Sequence, residues 1–465
     1  MKKLLFLLVF VISQNIFAQN INIVFAPDAY LYYVKKFHPI AKQSQLVIDN
    51  AKANVLSSRG GFDPKLYSYL DEKNYDSKNY YSLLDAGLKI PTWYGLEVFA
   101  GFQQNAGTNL NPENKVPYNG LANAGISASL IQGLYIDERR TALKKAKLFE
   151  QYSVYEQQNM LNDLILDAMQ AYWNWVAAYH QLNVQNQAAD LAFVRYQSIK
   201  SSFILGDNPA IDTLESYIQY QTRLFAKIDA EQNLRDKQLM LATYLWYEDN
   251  APLELSDSVK APEVNDSRLL TIVDSVIQMN FEIANDHPIM KLYEFKLKDL
   301  ELDRRLNAEK FKPELNLKYN FLNEPVNSIP WDGLNTQNVK WGMSLTYPLF
   351  LRKERGELRK TKIKISENTW LRDLKKYDLQ NKANSIQQEL INTQRQLNLY
   401  TSVVENNTKM LEAEITKFRN GESSVFLINS REITLIQSQL SLISLTAKYH
   451  QLYVKKRWVL GNLFN

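Results

Sequence analysis

Apolar residues recur every seven positions late in the chain: Ala383, Leu390, Leu397, Val404, Leu411 and Phe418, then Ile428, Leu435, Leu442 and Tyr449. Earlier, Leu161, Leu164, Ala168, Ala171, Trp175, Ala178 and Leu182 alternate spacings of three and four. Both patterns are coiled-coil seams. The helices that carry them are long. Leu134–Leu205, Ala210–Ala251, Glu357–Asn420 and Glu422–Leu460 contain neither glycine nor proline, over 72, 42, 64 and 39 residues. A globular helix averages about 10–14 residues, whereas one of about 65 residues at ~1.5 Å rise reaches about 100 Å. The order long, short, long, short, with a glycine inside each pair, predicts two elongated antiparallel helical hairpins. It points to a function of reach rather than of a pocket.

Between the helices the period changes to two. Lys65–Leu70, Leu96–Phe102 and Lys340–Tyr347 alternate, and Tyr80, Tyr81, Trp93, Tyr94, Phe99, Phe102, Trp331, Trp341 and Tyr347 crowd the same regions. Loops rich in Asn, Gly and Pro (Asn105–Gly120, Asn323–Asn338) separate them. Short alternating strands with aromatic ends suit an outer-membrane barrel, or a soluble β-domain capping a coiled coil. Two to four strands in the first region and two in the second are too few to close a barrel, which needs about eight or more. A barrel would therefore need several copies of the chain.

The elements come in two repeats. His38-Pro39 recurs as His287-Pro288, and Pro64-Lys65-Leu66 as Pro313-Glu314-Leu315, both at an offset of 249. Gly125-Ile126-Ser127 recurs as Gly342-Met343-Ser344 at 217, and Phe203 and Gly206 as Phe418 and Gly421 at 215. The drop in offset leaves about 32 extra residues between Pro64 and Gly125, expected to form an added hairpin around Tyr80–Gln104, in the barrel or capping it. Each repeat begins with a short helix (about Asp28–Phe37; about Ser267–Ile283). A second helix is restarted by His-Pro, since proline suits a first turn. The chain divides into a signal peptide (1–18), a first repeat (19–251, with β segment 62–133 and long hairpin 134–251), a linker (252–266) and a second repeat (267–465, with β segment 313–350 and long hairpin 351–460). In each repeat the His-Pro helix and the returning helix together match the long helix in length, so that two shorter helices stacked end to end would flank it.

Composition narrows the class. Lys2 and Lys3, the apolar run Leu4–Ile12 and Ile16-Phe17-Ala18 read as a cleavable secretory signal. The formal charge of +4 falls to +2 without Lys2 and Lys3, which favours neither nucleic acid nor an acidic partner. There is no cysteine, hence no disulfide framework, thiolate metal site or lipid-anchor cysteine. No later run of 18 apolar residues predicts a membrane helix. His38 and His287 belong to the repeated turn and read as structural; His180 and His450 stand alone. No metal spacing, catalytic triad or phosphate loop appears, Gly60-Gly61 being a helix end, so no enzyme activity and no cofactor are expected.

The doubled layout resembles the TolC-like outer-membrane efflux proteins over nearly the whole mature chain. The residues that carry the resemblance are the His-Pro starts, Pro64 and Pro313 before the strands, Ser344–Phe350 ahead of a basic helix start, and the turns Phe203–Leu214 and Phe418–Asn429. The resemblance implies a mainly α fold with a β part: a homotrimeric α-barrel tunnel joined to a shared outer-membrane β-barrel. It implies a passive duct meeting a periplasmic membrane-fusion adaptor and an inner-membrane efflux pump or ABC exporter, in the outer membrane of a Gram-negative bacterium. The alternative is a soluble periplasmic coiled-coil adaptor or scaffold.

Three groups of site residues follow. Phe203, Gly206, Asp207, Leu214, Phe418, Gly421, Glu422 and Leu427 would sit at the hairpin tips and meet the adaptor. Relatives often carry an acid just past the second-repeat turn glycine, ringing the pore entrance. Here Leu427 and Ser430 hold those places, while the first repeat has Asp212 and Glu215. These two would supply the ring, unless they are ordinary first-turn acids favoured by the helix dipole. Arg139, Arg140 and Lys144, with Lys145 and Lys147, open the first long helix. Arg352, Lys353 and Arg355, with Arg359, Lys360, Lys362 and Lys364, open the second. These clusters are either solvated faces or contacts to outer-membrane lipid head groups.

Overall fold

The computed structural model describes residues 24–256, 258–263, 286–325 and 335–463. The expected signal peptide, the expected short helix near 267–283 and Trp331 lie outside them. The described helices are α1 (Pro27–Phe37), α2 (Pro39–Arg59), α3 (Glu138–Ile204), α4 (Ala210–Ala242), α5 (Pro288–Glu309), α6 (Arg352–Arg419) and α7 (Val425–Val459). The strands are β1 (Lys65–Tyr75), β2 (Lys78–Pro91), β3 (Leu96–Ala106), β4 (Leu121–Ser129), β5 (Glu314–Asn323) and β6 (Val339–Thr346). With 67 and 68 residues, α3 and α6 match the glycine- and proline-free stretches closely. α6 starts ahead of Gly356, which its first turns accommodate. α4 ends well short of Ala251 without a helix breaker. Asp249 and Asn250 take positive φ (62° and 59°), a region Asp and Asn tolerate, and the Trp246–Pro252 bridge replaces helix.

The chain forms two compact units. One gathers the described residues up to Ala41 with Asp163–Asn280 and Asn384–Trp458; the other gathers Lys42–Asn162, Phe281–Ala383 and the residues from Val459 on. In the first unit the seam residues Leu164, Ala168, Trp175, Ala178, Leu390, Ile428 and Tyr449 are buried. The Tyr30 hydroxyl donates to the Ala168 carbonyl (3.1 Å) and its ring stacks on Tyr172. Tyr172 donates to the Phe25 carbonyl (2.7 Å), and Phe25 is itself held by Lys260 (3.0 Å). Burial raises both tyrosine pKa values. His450 lies flat on Trp173 at 4.0 Å, and burial lowers its pKa to about 4.

The two His-Pro sites are built alike. His38 Nδ1 accepts the Ile40 N–H (3.1 Å), and the ring also reaches the Thr243 backbone just past α4. His287 Nδ1 accepts the Ile289 N–H (3.2 Å), while Nε2 meets the Val459 carbonyl at the end of α7 (2.9 Å). The neutral ring with its proton on Nε2 fits both partners, and burial lowers both pKa values.

The second unit holds the sheet, six strands in the order β1-β2-β3-β4-β5-β6, every pair antiparallel. The expected added hairpin, Tyr80–Gln104, is β2 and β3, paired on both sides within this sheet. β1 and β6 form the two edges.

Candidate functional site

The strand register sorts side chains into two faces. Leu66 pairs with Leu88, Leu88 with Ala100, Ala100 with Ala124, Ala124 with Phe321, and Phe321 with Val339. The neighbouring rows on this face include Leu70, Leu84, Ile90, Val98, Ile126, Leu317, Trp341, Met343 and Leu345. It is apolar across all six strands apart from Ser68, with Glu72, Ser82, Gln104 and Asn323 toward one end. It is also uncovered: Leu66 is 85% exposed, and Trp341 and Leu345 are each 65% exposed. A continuous exposed apolar face of this size marks a contact surface, for another protein or for a membrane. Exposed aromatics stand at or beyond both ends of the strands: Trp93, Tyr94, Tyr347 and Phe350 at the helix end, Tyr75 and Tyr118 at the other. Among the described residues no helix is long and apolar enough to cross a membrane.

The opposite face carries Lys65, Tyr67, Asp71, Asp85, Lys89, Glu97, Gln103, Asn123, Ser127, Asn320, Lys318 and Lys340. Gly87, Gly101 and Gly125 lie among them. A Cβ on Gly125 would stand 2.1 Å from the Tyr319 carbonyl and 2.8 Å from the Phe99 ring; on Gly87, 2.9 Å from the Tyr67 hydroxyl. Aromatic rings therefore lie down over glycines. Lys89 caps the Tyr67 ring at 4.4 Å and Lys318 the Phe99 ring at 4.6 Å. Glycines in strands are where a sheet can bend, and aromatics that cover them restore the lost packing.

The two helical turns share one hydrogen-bond pattern. Gly206 N–H donates to the Phe203 carbonyl (3.0 Å) and Asp207 N–H to Ser202 (2.9 Å); Gly421 donates to Phe418 (3.0 Å) and Glu422 to Lys417 (2.9 Å). Each is a Schellman motif with glycine at positive φ, +87° and +79°. Phe203, Asp207, Leu214, Glu422 and Leu427 are exposed, and Phe418 is half-buried.

The two candidate acids differ. Asp212 lies half-buried in the first turn of α4. Glu215 accepts a hydrogen bond from Asn429 (3.2 Å), whose Oδ1 accepts from Arg195 (3.0 Å). Arg195 also pairs with the buried Glu432. Arg223 lies nearby, and burial lowers its pKa despite the opposing charge of Glu432. This cluster ties α3, α4 and α7 together. The sequence reading missed it, although the signal was present: Glu432 and Asn429 interrupt the apolar stripe that begins at Val425 and Ile428.

The basic residues also divide. Arg140 is buried. It bonds Asp137 (3.1 Å), the Leu134 carbonyl (2.9 Å) and the Gly133 carbonyl, and so braces the link from β4 to α3. This occupies its donors internally rather than at a lipid surface. Arg139 pairs with Glu97 at 3.6 Å. Lys144 lines a groove with Lys147, Lys298, Glu301 and Arg305. Arg352 stacks over Phe350 at 5.2 Å, and Lys353 and Arg355 are exposed.

No protein-family model and no curated protein matches the sequence. Solved structures do match the fold. The CmeC outer membrane channel of Campylobacter jejuni superposes with a TM-score of 0.66 at 14% identity, over 93% of this chain and 85% of that one. The outer membrane protein VceC of Vibrio cholerae gives 0.66 at 11%, over 94% and 96%. The open-state MtrE outer membrane channel of Neisseria gonorrhoeae gives 0.63 at 11%, over 93% and 88%. The chain therefore has the fold of the TolC-like outer-membrane channels.

Proposed function

We propose that this chain is the outer-membrane duct of a tripartite efflux or type I secretion system. The observation that carries the reading is the two-faced sheet, apolar and bare on one side, polar and glycine-bearing on the other. Only a closed barrel satisfies strand edges in a bilayer, and six strands with two free edges need further copies, three in this reading. The apolar face then meets lipid and the polar face lines water. Substrate passes without chemistry, delivered by an inner-membrane pump or ABC exporter through a periplasmic adaptor that grips the Gly206 and Gly421 turns. Asp212 lines the entrance, and Glu215 braces it through Asn429. The exposed cations Arg139, Lys144, Arg352, Lys353 and Arg355 lie just inside the membrane. A soluble adaptor or scaffold has no use for a bare apolar sheet face.

Fractionation and planar-bilayer recording test this. The protein should sediment with outer membrane and conduct as an oligomer, with Asp212→Asn weakening cation block at low salt. Recovery in the soluble periplasm, or bilayers that stay silent, would overturn the channel reading. Unchanged block in the Asp212→Asn protein would remove that residue from the pore.

A further inference from the structure

We infer that β2 and β3 are an inserted pair of barrel staves. They widen the outer-membrane lumen about 1.5-fold, so that it passes bulky hydrated solutes; this rests on the channel reading above. Repeat offsets match β1 to β5 through Pro64-Lys65-Leu66 and Pro313-Glu314-Leu315, and β4 to β6 through Gly125-Ile126-Ser127 and Gly342-Met343-Ser344. β2 and β3 have no counterpart. They are nonetheless complete strands, with register unbroken from Ser82↔Ala106 to Pro91↔Glu97 and from Leu96↔Ala128 to Gln103↔Leu121.

Three observations place this hairpin in the wall rather than over the lumen. Its apolar residues Leu84, Ala86, Leu88, Ile90, Val98 and Ala100 continue the apolar face of the other four strands. Its glycines Gly87 and Gly101 stand on the polar face, under the Tyr67 hydroxyl at 2.9 and 3.2 Å from their would-be Cβ atoms. Its two strands also preserve parity. β1 and β3 run the same way, so an inserted pair leaves the β1 and β6 edges and their mutual antiparallel sense unchanged.

Barrel diameter grows roughly linearly with strand number. Six strands per copy in place of four therefore widen the lumen about 1.5-fold for any number of copies. Three copies close eighteen strands, within the range of about 16–18 that leaves an open aqueous channel.

The topology also supplies the test. β1 and β3 both end on the side of the Gly107–Gly120 loop. Deleting Asp76–Ala106 therefore lets that loop join β1 directly to β4. In planar bilayers, polyethylene glycols of graded size added from the loop side should be excluded from the deleted channel at a radius about 1.5-fold smaller than from the full chain. Equal exclusion radii would overturn the inference while leaving the channel itself standing. A full chain that never conducts sinks the channel reading instead.

A second measurement decides the matter even where the deleted chain fails to assemble. The protein has no cysteine, so nitroxides can be placed singly at Ala86→Cys and Ala100→Cys on the apolar face and at Gln103→Cys on the polar one. In proteoliposomes the first two should relax with oxygen dissolved in lipid and the third with a water-soluble nickel chelate. Nickel access to Ala86→Cys and Ala100→Cys would place the hairpin outside the wall and refute the insertion.

Discussion

In the helical unit the apolar residues of α3, α6 and α7 face one another, and the buried Glu432 is paired with Arg195. In the sheet the arrangement is turned inside out. Leu66, Leu345 and Trp341 stand exposed on the apolar face, while Lys89, Lys318 and Asn123 share the polar one. Each region is ordinary for its own surroundings. Water outside a helix bundle drives apolar groups inward, whereas hydrocarbon outside a barrel leaves the polar groups nowhere to go but the lumen. On the channel reading proposed above, one chain is thus written for two solvents, and the same substitution should read differently in each half.

The largest effect is expected where charge is buried. Arg195→Met removes the direct partner of buried Glu432 and should cost about 3–5 kcal/mol, seen as a fall in thermal midpoint. The pair Arg195→Met with Glu432→Leu should recover most of it. No recovery would mean that the arginine acts through packing alone.

Next comes the apolar face. Ala100→Arg should cost about 2–4 kcal/mol per copy and deplete the membrane fraction, whereas Gln103→Arg, three residues along on the polar face, should insert normally. Equal losses from both would erase the distinction between the faces.

Gly125→Val should cost about 1–3 kcal/mol, since its side chain meets the Tyr319 carbonyl and Phe99. Gly342→Val, with nothing of its own chain within 4 Å of its Cβ position, should cost clearly less. A harmless Gly125→Val would deny the close approach of Phe99.

The smallest effect is a pH dependence confined to the helical unit. His450 is held neutral by burial, with a pKa of about 4 against an ordinary value near 6.5. Its contribution is complete above pH 6.5 and lost as pH falls toward 4, so that moving from pH 8 to pH 6 should cost about 1 kcal/mol. His450→Phe should flatten that slope; a slope unchanged in the variant would assign it to other groups.

Much of this was legible in the sequence because period is a physical signal. The seam from Ala383 to Phe418 and the breaker-free stretch Glu357–Asn420 predicted a long helix, which runs from Arg352 to Arg419, and the His-Pro dipeptides predicted the first residues of α2 and α5, Pro39 and Pro288. Two things escaped. α4 stops at Ala242 because Leu245 packs away and Asp249 and Asn250 turn left-handed, a tertiary choice that the absence of glycine and proline does not reveal. The pairing of Glu215 with Asn429 joins residues 214 apart, and no local pattern marks such partners. The sheet was visible as alternation, but its two-faced continuity across six strands emerges only once the register is known.

The repeated histidine joints bear on the order in which the molecule can be made. His287 caps the start of α5 while reaching a carbonyl 172 residues later, and His38 does the same for α2 with Thr243. Chains are synthesised from the amino end, so each repeat's opening joint must wait for the last turn of that repeat's own returning helix. Contacts so distant in sequence form slowly. During that interval the apolar strands between them stand exposed, so maturation should depend on a holding chaperone for as long as Thr243 and Val459 have yet to arrive.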